Sequence, residues 1–202
     1  FKRVGWVGGS WGLGPPRRVM LGTVTANYKE LGGKIPIPAP ADLGNLAGFE
    51  QGFREPICMA NGKRFKPGKA YKDSKLCNIL FGRELYKRLS GIGKKMPVLT
   101  WAPGLVIPRT KDGFFRYSRK YNEIGQRLFA FIARDLMRIT ESPEKAGEKL
   151  NKLCLLEKYN EEGFLYLSNR IKGYGDISLQ EEIISKEAND NLKAEELWNV
   201  SR

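Results

Sequence analysis

The chain has 202 residues and is 41% hydrophobic, enough to bury one sizeable core, so a single α/β-sized domain is expected. Its 35 Lys and Arg against 22 Asp and Glu leave a formal charge of +13, which points to an anionic partner. It has no histidine and only three scattered cysteines (Cys58, Cys77, Cys154), which argues against a zinc site and a disulfide framework and fits a reducing compartment.

The basic residues are spread along the whole chain without a nucleic-acid-binding motif, so most of them read as a solvated face and no nucleic-acid partner is expected. The longest apolar run, Leu128 to Ala133, is too short to span a bilayer, and no secretory signal opens the chain.

Residues 1–17 read as an irregular, Gly-rich N-terminus. Within it, Gly8-Gly9-Ser10-Trp11-Gly12-Leu13-Gly14 follows a Gly-x-x-x-Gly-x-Gly pattern. Such a loop cradles a pyrophosphate when it joins a strand to a helix N-terminus, but here Pro15 and Pro16 follow and no helix does. Val19-Met20-Leu21-Gly22-Thr23 reads as a buried parallel strand with Thr23 at its carboxyl end, where α/β folds place ligands; a simple turn hydroxyl is the alternative.

A stretch rich in Gly, Pro and Asn runs from Asn27 to Lys69, in which Asp42 is a candidate cap for a short helix. Lys63, Arg64, Lys66 and Lys69 crowd its end, as either an anion-attracting cluster or a solvated loop. Ala70 to Leu89 reads as a helix carrying Leu76, Ile79, Leu80, Leu85 and Leu89 at helical spacing, with Gly91 just past its end and Cys77 in the core.

Val98 to Ala102 is a second buried strand, ending at Pro103-Gly104. Phe114, Phe115, Tyr117 and Tyr121 alternate with Arg116, Arg119 and Lys120, a pattern suited to a planar anionic ligand, a membrane surface or a core-covering helix. Ile124 to Ile139 reads as an amphipathic helix with Leu128, Phe129, Phe131, Ile132 and Leu136 on its apolar side. Ser142-Pro143 opens the next helix, Phe164 to Leu167 is a strand, and Asn189 to Trp198 is a helix docked by Leu192, Leu197 and Trp198.

Ala70-Tyr71-Lys72-Asp73-Ser74-Lys75 holds the most telling spacing. Tyr71 and Lys75 are four positions apart, so a helix puts both on one face, one turn apart. A neighbouring ammonium lowers a phenol's pKa and lets it pass a proton near neutral pH. In a chain without histidine this is the most plausible acid–base pair, although an amphipathic helix alone would produce the same spacing.

Thr23 at a strand end, Tyr71 and Lys75 on a helix, and Pro103-Gly104 ending the next strand resemble the second half of a short-chain dehydrogenase/reductase. More narrowly, the chain resembles the light-dependent protochlorophyllide oxidoreductases. The matching stretches are Leu21-Gly22-Thr23-Val24-Thr25, Glu30 to Pro36, Asp42 to Leu46 with Gly52-Phe53, Lys69 to Lys75 with Cys77-Asn78, and the final helix. They extend over roughly residues 18–202, and the long connection between Thr23 and Tyr71 corresponds to the family's insertion.

The resemblance implies an α/β, Rossmann-like parallel sheet with flanking helices, truncated at the N-terminus. It also implies NADPH-dependent, light-driven reduction of the D-ring double bond of protochlorophyllide, in a plastid or a photosynthetic bacterium. Tyr71 would deliver the proton, Lys75 would hold the nicotinamide ribose and lower the tyrosine's pKa, and Thr23 would orient ligand and water. Pro103 and Gly104 would lie against the cofactor. Peripheral membrane association and homo-oligomerisation are compatible with it.

Three positions depart from the family. Where it commonly has Tyr-Pro-Gly-Cys, this chain has Ala102-Pro103-Gly104-Leu105, so no cysteine acts there. A threonine usual four residues after that glycine is Pro108, with Thr110 a weak substitute. Only nine positions separate Gly14 from Thr23, too few for the βα units that bind adenine and pyrophosphate, which predicts an exposed sheet edge. Two alternatives stand beside this reading: a short-chain reductase that works on carbonyls in the dark, and a non-enzymatic basic module that binds pigment or membrane.

Overall fold

A computed structural model describes residues 5–7, 16–23, 41–54, 56–110 and 122–201. The Gly8 to Gly14 loop, the Phe114 to Tyr121 stretch and the first part of the Asn27–Lys69 segment lie outside the described residues.

The architecture is α/β. Strands β1 (Gly5–Val7), β2 (Arg17–Leu21), β3 (Val98–Ala102), β4 (Phe164–Gly173) and β5 (Asp176–Glu181) form one sheet in that order. Its centre, β2-β3-β4, is parallel, with Leu21 opposite Trp101 and Leu99 opposite Leu165; both outer pairs are antiparallel. The expected parallel sheet is therefore its middle. Two features go beyond the sequence expectations. β1, from the opening stretch expected to be irregular, pairs with Arg17 to Val19 and covers part of the edge predicted to be open. A hairpin through Gly175, at φ 71°, returns β4 as β5.

The helices are α1 (Ala47–Glu50), α2 (Pro67–Gly91), α3 (Glu123–Ala130, continued by π-helical turns through Leu136), α4 (Pro143–Leu155) and α5 (Asn191–Val200). They cover both faces of the sheet, which explains why β3 is buried along its full length and reads as a continuous apolar run. On one face, Leu76, Ile79 and Leu80 of α2 and Ala194 and Leu197 of α5 pack with Ala102 and Tyr166. On the other, Ala146 and Leu153 of α4 meet Leu99, Trp101 and Leu167. Alternate residues of β3 and β4 thus serve opposite cores, as strand geometry requires.

Gly82 lets α2 approach the sheet: a Cβ there would lie 3.1 Å from Met20 Sδ and from Phe164 Cε2. Arg17, buried at the start of β2, donates to the carbonyls of Leu153 and Leu156 at the end of α4, at 2.9 and 3.0 Å, and to Asn160 Oδ1. A cation on those carbonyls is favourably placed against the helix dipole.

Several local expectations are corrected. Asp42 caps no helix; its carboxylate accepts from Gly44 N–H and from Asn61 Nδ2, and α1 begins after Leu46. Gly91 is still helical, and the left-handed residue beyond α2 is Gly93. Leu192 is exposed, while Leu197 and Trp198, the latter stacked on Phe81, dock α5. In α3 the apolar side faces outward: Ile124, Leu128, Phe131 and Leu136 are 84, 57, 56 and 60% exposed, and Ala130 and Ala133 make the buried contact. Ser142 does cap α4, its Oγ accepting from Lys145 N–H, with Pro143 at the first helical position.

Candidate active site

Pro67 begins α2 with the fixed φ that a first turn needs. The first turn is locked from below. Lys69, expected among exposed cations near an anion, is instead buried and donates to Asp73 Oδ2 at 2.7 Å and to the carbonyl of Asp42 at 2.8 Å. Asp73 also accepts from Asp42 N–H at 3.0 Å, so one buried ion pair ties the 41–46 loop to the helix. Burial raises the Asp73 carboxyl above its ordinary range despite these donors. Lys63, Arg64 and Lys66 are not buried with it.

One turn on, Tyr71 and Lys75 share a helix face as their spacing predicts. The Lys75 ammonium lies 5.8 Å from the Tyr71 ring centroid and donates to the carbonyl of Leu21 at 3.4 Å. Asn78, next along the same face, donates to that carbonyl at 2.8 Å. Leu21 O is the last strand carbonyl of β2, and α2 supplies the donors it needs. Lys75 is half-buried, and desolvation lowers its pKa below the usual lysine value. Asn78 belongs to one of the stretches that carry the resemblance, yet the sequence assigns it no role; its place three residues after Lys75 was the available signal.

Thr23 is two residues beyond Leu21 and is buried, its carbonyl accepting from the Tyr166 hydroxyl at 3.4 Å. Pro103 is two residues beyond Trp101, the register partner of Leu21, so Thr23 and Pro103 leave adjacent strand ends at the same level. Gly104 turns the chain at φ 73°. The Pro103 carbonyl accepts from Asn169 Nδ2 at 3.0 Å. Asn169 is a residue that sequence reasoning missed.

The departures from the family pattern are apolar and packed. Ala102 is fully buried beneath α2, and Leu105 packs against the Ile107, Ala130 and Ala133 cluster. Pro108 and Thr110 open instead on a crevice of about 1000 Å³ between the end of α3, the start of α4 and the β5 hairpin, which Thr23, Tyr71 and Lys75 do not line. Cys77 is buried and its thiol is pushed up to about 12, an inert core residue.

Among the described residues no three His, Cys, Asp or Glu are placed to hold a metal ion, and no helix is long and apolar enough to cross a membrane. The residue types present fit the nicotinamide end of a dinucleotide: a half-buried cation beside a tyrosine, bonded to the last carbonyl of one parallel strand, whose neighbour ends in a glycine turn.

No protein-family model matches the chain. It is 27% identical over 186 residues to the chloroplastic protochlorophyllide reductase of Chlamydomonas reinhardtii, covering 92% of this chain and 43% of that protein. It is 29% identical over 192 residues to protochlorophyllide reductase A of Oryza sativa subsp. japonica, covering 93% and 46%. A crystal structure of an uncharacterized protein from Mycobacterium Paratuberculosis aligns with a TM-score of 0.47 at 19% identity, over 91% of this chain and 47% of that one, a likeness that identifies no function. The resemblance drawn from Thr23, Tyr71, Lys75 and their neighbours thus extends along almost the whole chain: it is similar to protochlorophyllide reductases throughout, and spans less than half of their length.

Proposed function

We propose that this chain carries the proton-delivering half of an NADPH-dependent, light-driven protochlorophyllide reductase of the short-chain type, acting in a plastid or a photosynthetic cell. On this reading residues 18–202 are the catalytic half of the domain, with an insertion over about 27–69. The observation that carries it is the seating of Lys75 between Tyr71 and the Leu21 carbonyl, at the level where Thr23 and Pro103 leave their strands. The relatives, whose names give a protochlorophyllide substrate and a chloroplast location, support it.

When bound, NADPH supplies the hydride. Tyr71, 37% exposed, would release its hydroxyl proton to the second carbon of the reduced double bond, so that hydride and proton together complete a two-electron reduction. Lys75 would stabilise the phenolate left behind and hold the nicotinamide ribose, while Asn78 holds the Leu21 carbonyl beneath it. Thr23 would orient ligand or water, and Pro103 and Gly104 would lie against the cofactor. Peripheral membrane attachment and homo-oligomer formation are compatible with this role.

One observation favours a second reading. Ala102 and Leu105 are buried or packed where the family carries polar pigment-facing groups, which would suit an NADP-dependent reductase for a carbonyl substrate. Light separates the two. The polypeptide made by the source cell, mixed with NADPH and protochlorophyllide, is expected to bleach the substrate band only on illumination. Carbonyl reduction in the dark with no pigment conversion in the light would favour the second reading.

A further inference from the structure

The Pro103–Gly104 turn is held by a buried polar network on the α4 face of the sheet, the face that Trp101 and Leu167 also serve. Asn169 of β4, 4% exposed, is its hub. Trp101 Nε1 donates to Asn169 Oδ1 at 3.2 Å, and Asn169 Nδ2 donates to Pro103 O at 3.0 Å and to Glu141 Oε2 at 3.4 Å. An indole can only donate, so Trp101 fixes the amide oxygen toward itself and forces the amide NH₂ toward Pro103 and Glu141. Glu141, itself buried, is paired with Lys149, whose ammonium also donates to Ile177 O at 2.9 Å. Every group that Asn169 touches therefore demands the same orientation of its side chain.

The backbone closes the arrangement. A Cβ on Gly104 would lie 3.4 Å from Asn169 O, so the turn passes alongside the Asn169 backbone of β4. Gly104 at φ 73° lacks the steric restraint that a side chain would impose, and a turn of that kind needs an external hold to present one fixed face.

We propose that Asn169 is the positioning residue for the Pro103–Gly104 turn, setting the backbone face met by the nicotinamide end of a bound dinucleotide; this rests on the function proposed above. Asn169 touches no ligand. It acts through Pro103, and Trp101 and Glu141 fix its orientation.

The test uses the complete polypeptide from the source cell and three variants of it: Asn169→Ala, Asn169→Asp and Trp101→Phe, each checked for folding by near-ultraviolet circular dichroism. NADPH affinity is read by nucleotide fluorescence, and the Gly104 amide by NMR, between about pH 8 and about pH 5. Asn169→Asp is the informative change. Ionised, the new carboxylate cannot donate to Pro103 and meets Glu141 as a like charge; protonated, it can donate again. Expected at the alkaline end is NADPH binding about tenfold weaker. Affinity should recover toward acid, with the Gly104 amide returning toward its wild-type position. Asn169→Ala should weaken binding without that recovery, and Trp101→Phe should weaken it a few-fold, including if the Asn169 variants do not fold. Wild-type affinity and a wild-type pH profile in the folded variants would overturn the proposal. Should the wild-type complete polypeptide bind no NADPH, the proposed function fails. The Gly104 amide then decides the Asn169 assignment: a pH-reversible displacement in Asn169→Asp supports it, and coincidence with wild type at every pH overturns it.

Discussion

The Lys75 ammonium sits 5.8 Å from the centre of the Tyr71 ring, one helical turn further along α2, and a carbonyl from the neighbouring strand end holds it there. Half-buried, it gains less from its charged form than a lysine in water does, and its pKa is lowered. Amine acylation followed by mass spectrometry should show Lys75 reaching half-maximal reactivity at a pH below the ordinary lysine value of 10.5. The sign for stability follows. The unfolded chain binds the Lys75 proton more tightly, so this residue's contribution to stability rises with pH from its lowered folded value up to the ordinary 10.5.

The Lys69–Asp73 pair should be costly to break and cheap to replace. Lys69→Met leaves a buried, unpaired carboxylate and is expected to cost about 3–5 kcal/mol in urea unfolding. Lys69→Met combined with Asp73→Leu removes both charges and should cost clearly less. Equal losses for the single and the double variant would contradict the buried pairing seen at 2.7 Å.

Two glycine-to-alanine changes should act in opposite directions. Gly82→Ala drives a Cβ to 3.1 Å from Met20 and Phe164 across the helix–sheet contact and should destabilise by about 1–3 kcal/mol. Gly147 lies inside α4, where an added Cβ would meet nothing within 4 Å, so Gly147→Ala should stabilise by about 0.5–1 kcal/mol. Thermal unfolding of the two variants measures both signs.

Cys77, buried and with a thiol pushed up to about 12, should resist alkylation in the folded chain at neutral pH and react only after denaturation. Labelling of Cys77 at the same rate as the partly exposed Cys154 would contradict its core placement.

What the sequence made legible were features fixed by local spacing. The Tyr71–Lys75 face, the Ser142-Pro143 start of α4 and the buried run of β3 depend on residues within a turn or a strand of one another, and all three appear as expected. The features that escaped depend on distant partners. Asn169 meets Pro103 across 66 positions, and Lys69 meets the Asp42 carbonyl across 27. Periodicity also failed in one instructive way. It correctly gave α3 an apolar side, but spacing does not say what covers that side, and the fold packs the small Ala130 and Ala133 inward instead of Leu128 and Leu136. The β4–β5 hairpin was missed although its signals are present: Gly173 and Gly175 mark the turn, and Ile177 and Leu179 alternate with Asp176, Ser178 and Gln180 as in a half-buried strand.

Proton delivery by Tyr71 can be followed in a single-turnover flash experiment. The complete polypeptide from the source cell, loaded with NADPH and protochlorophyllide and then illuminated by one pulse, is compared with its Tyr71→Phe variant while the loss of substrate absorbance is followed. Tyr71→Phe is expected to bind both ligands but to form product at least about a hundredfold more slowly. Product formation at the wild-type rate in Tyr71→Phe would contradict it.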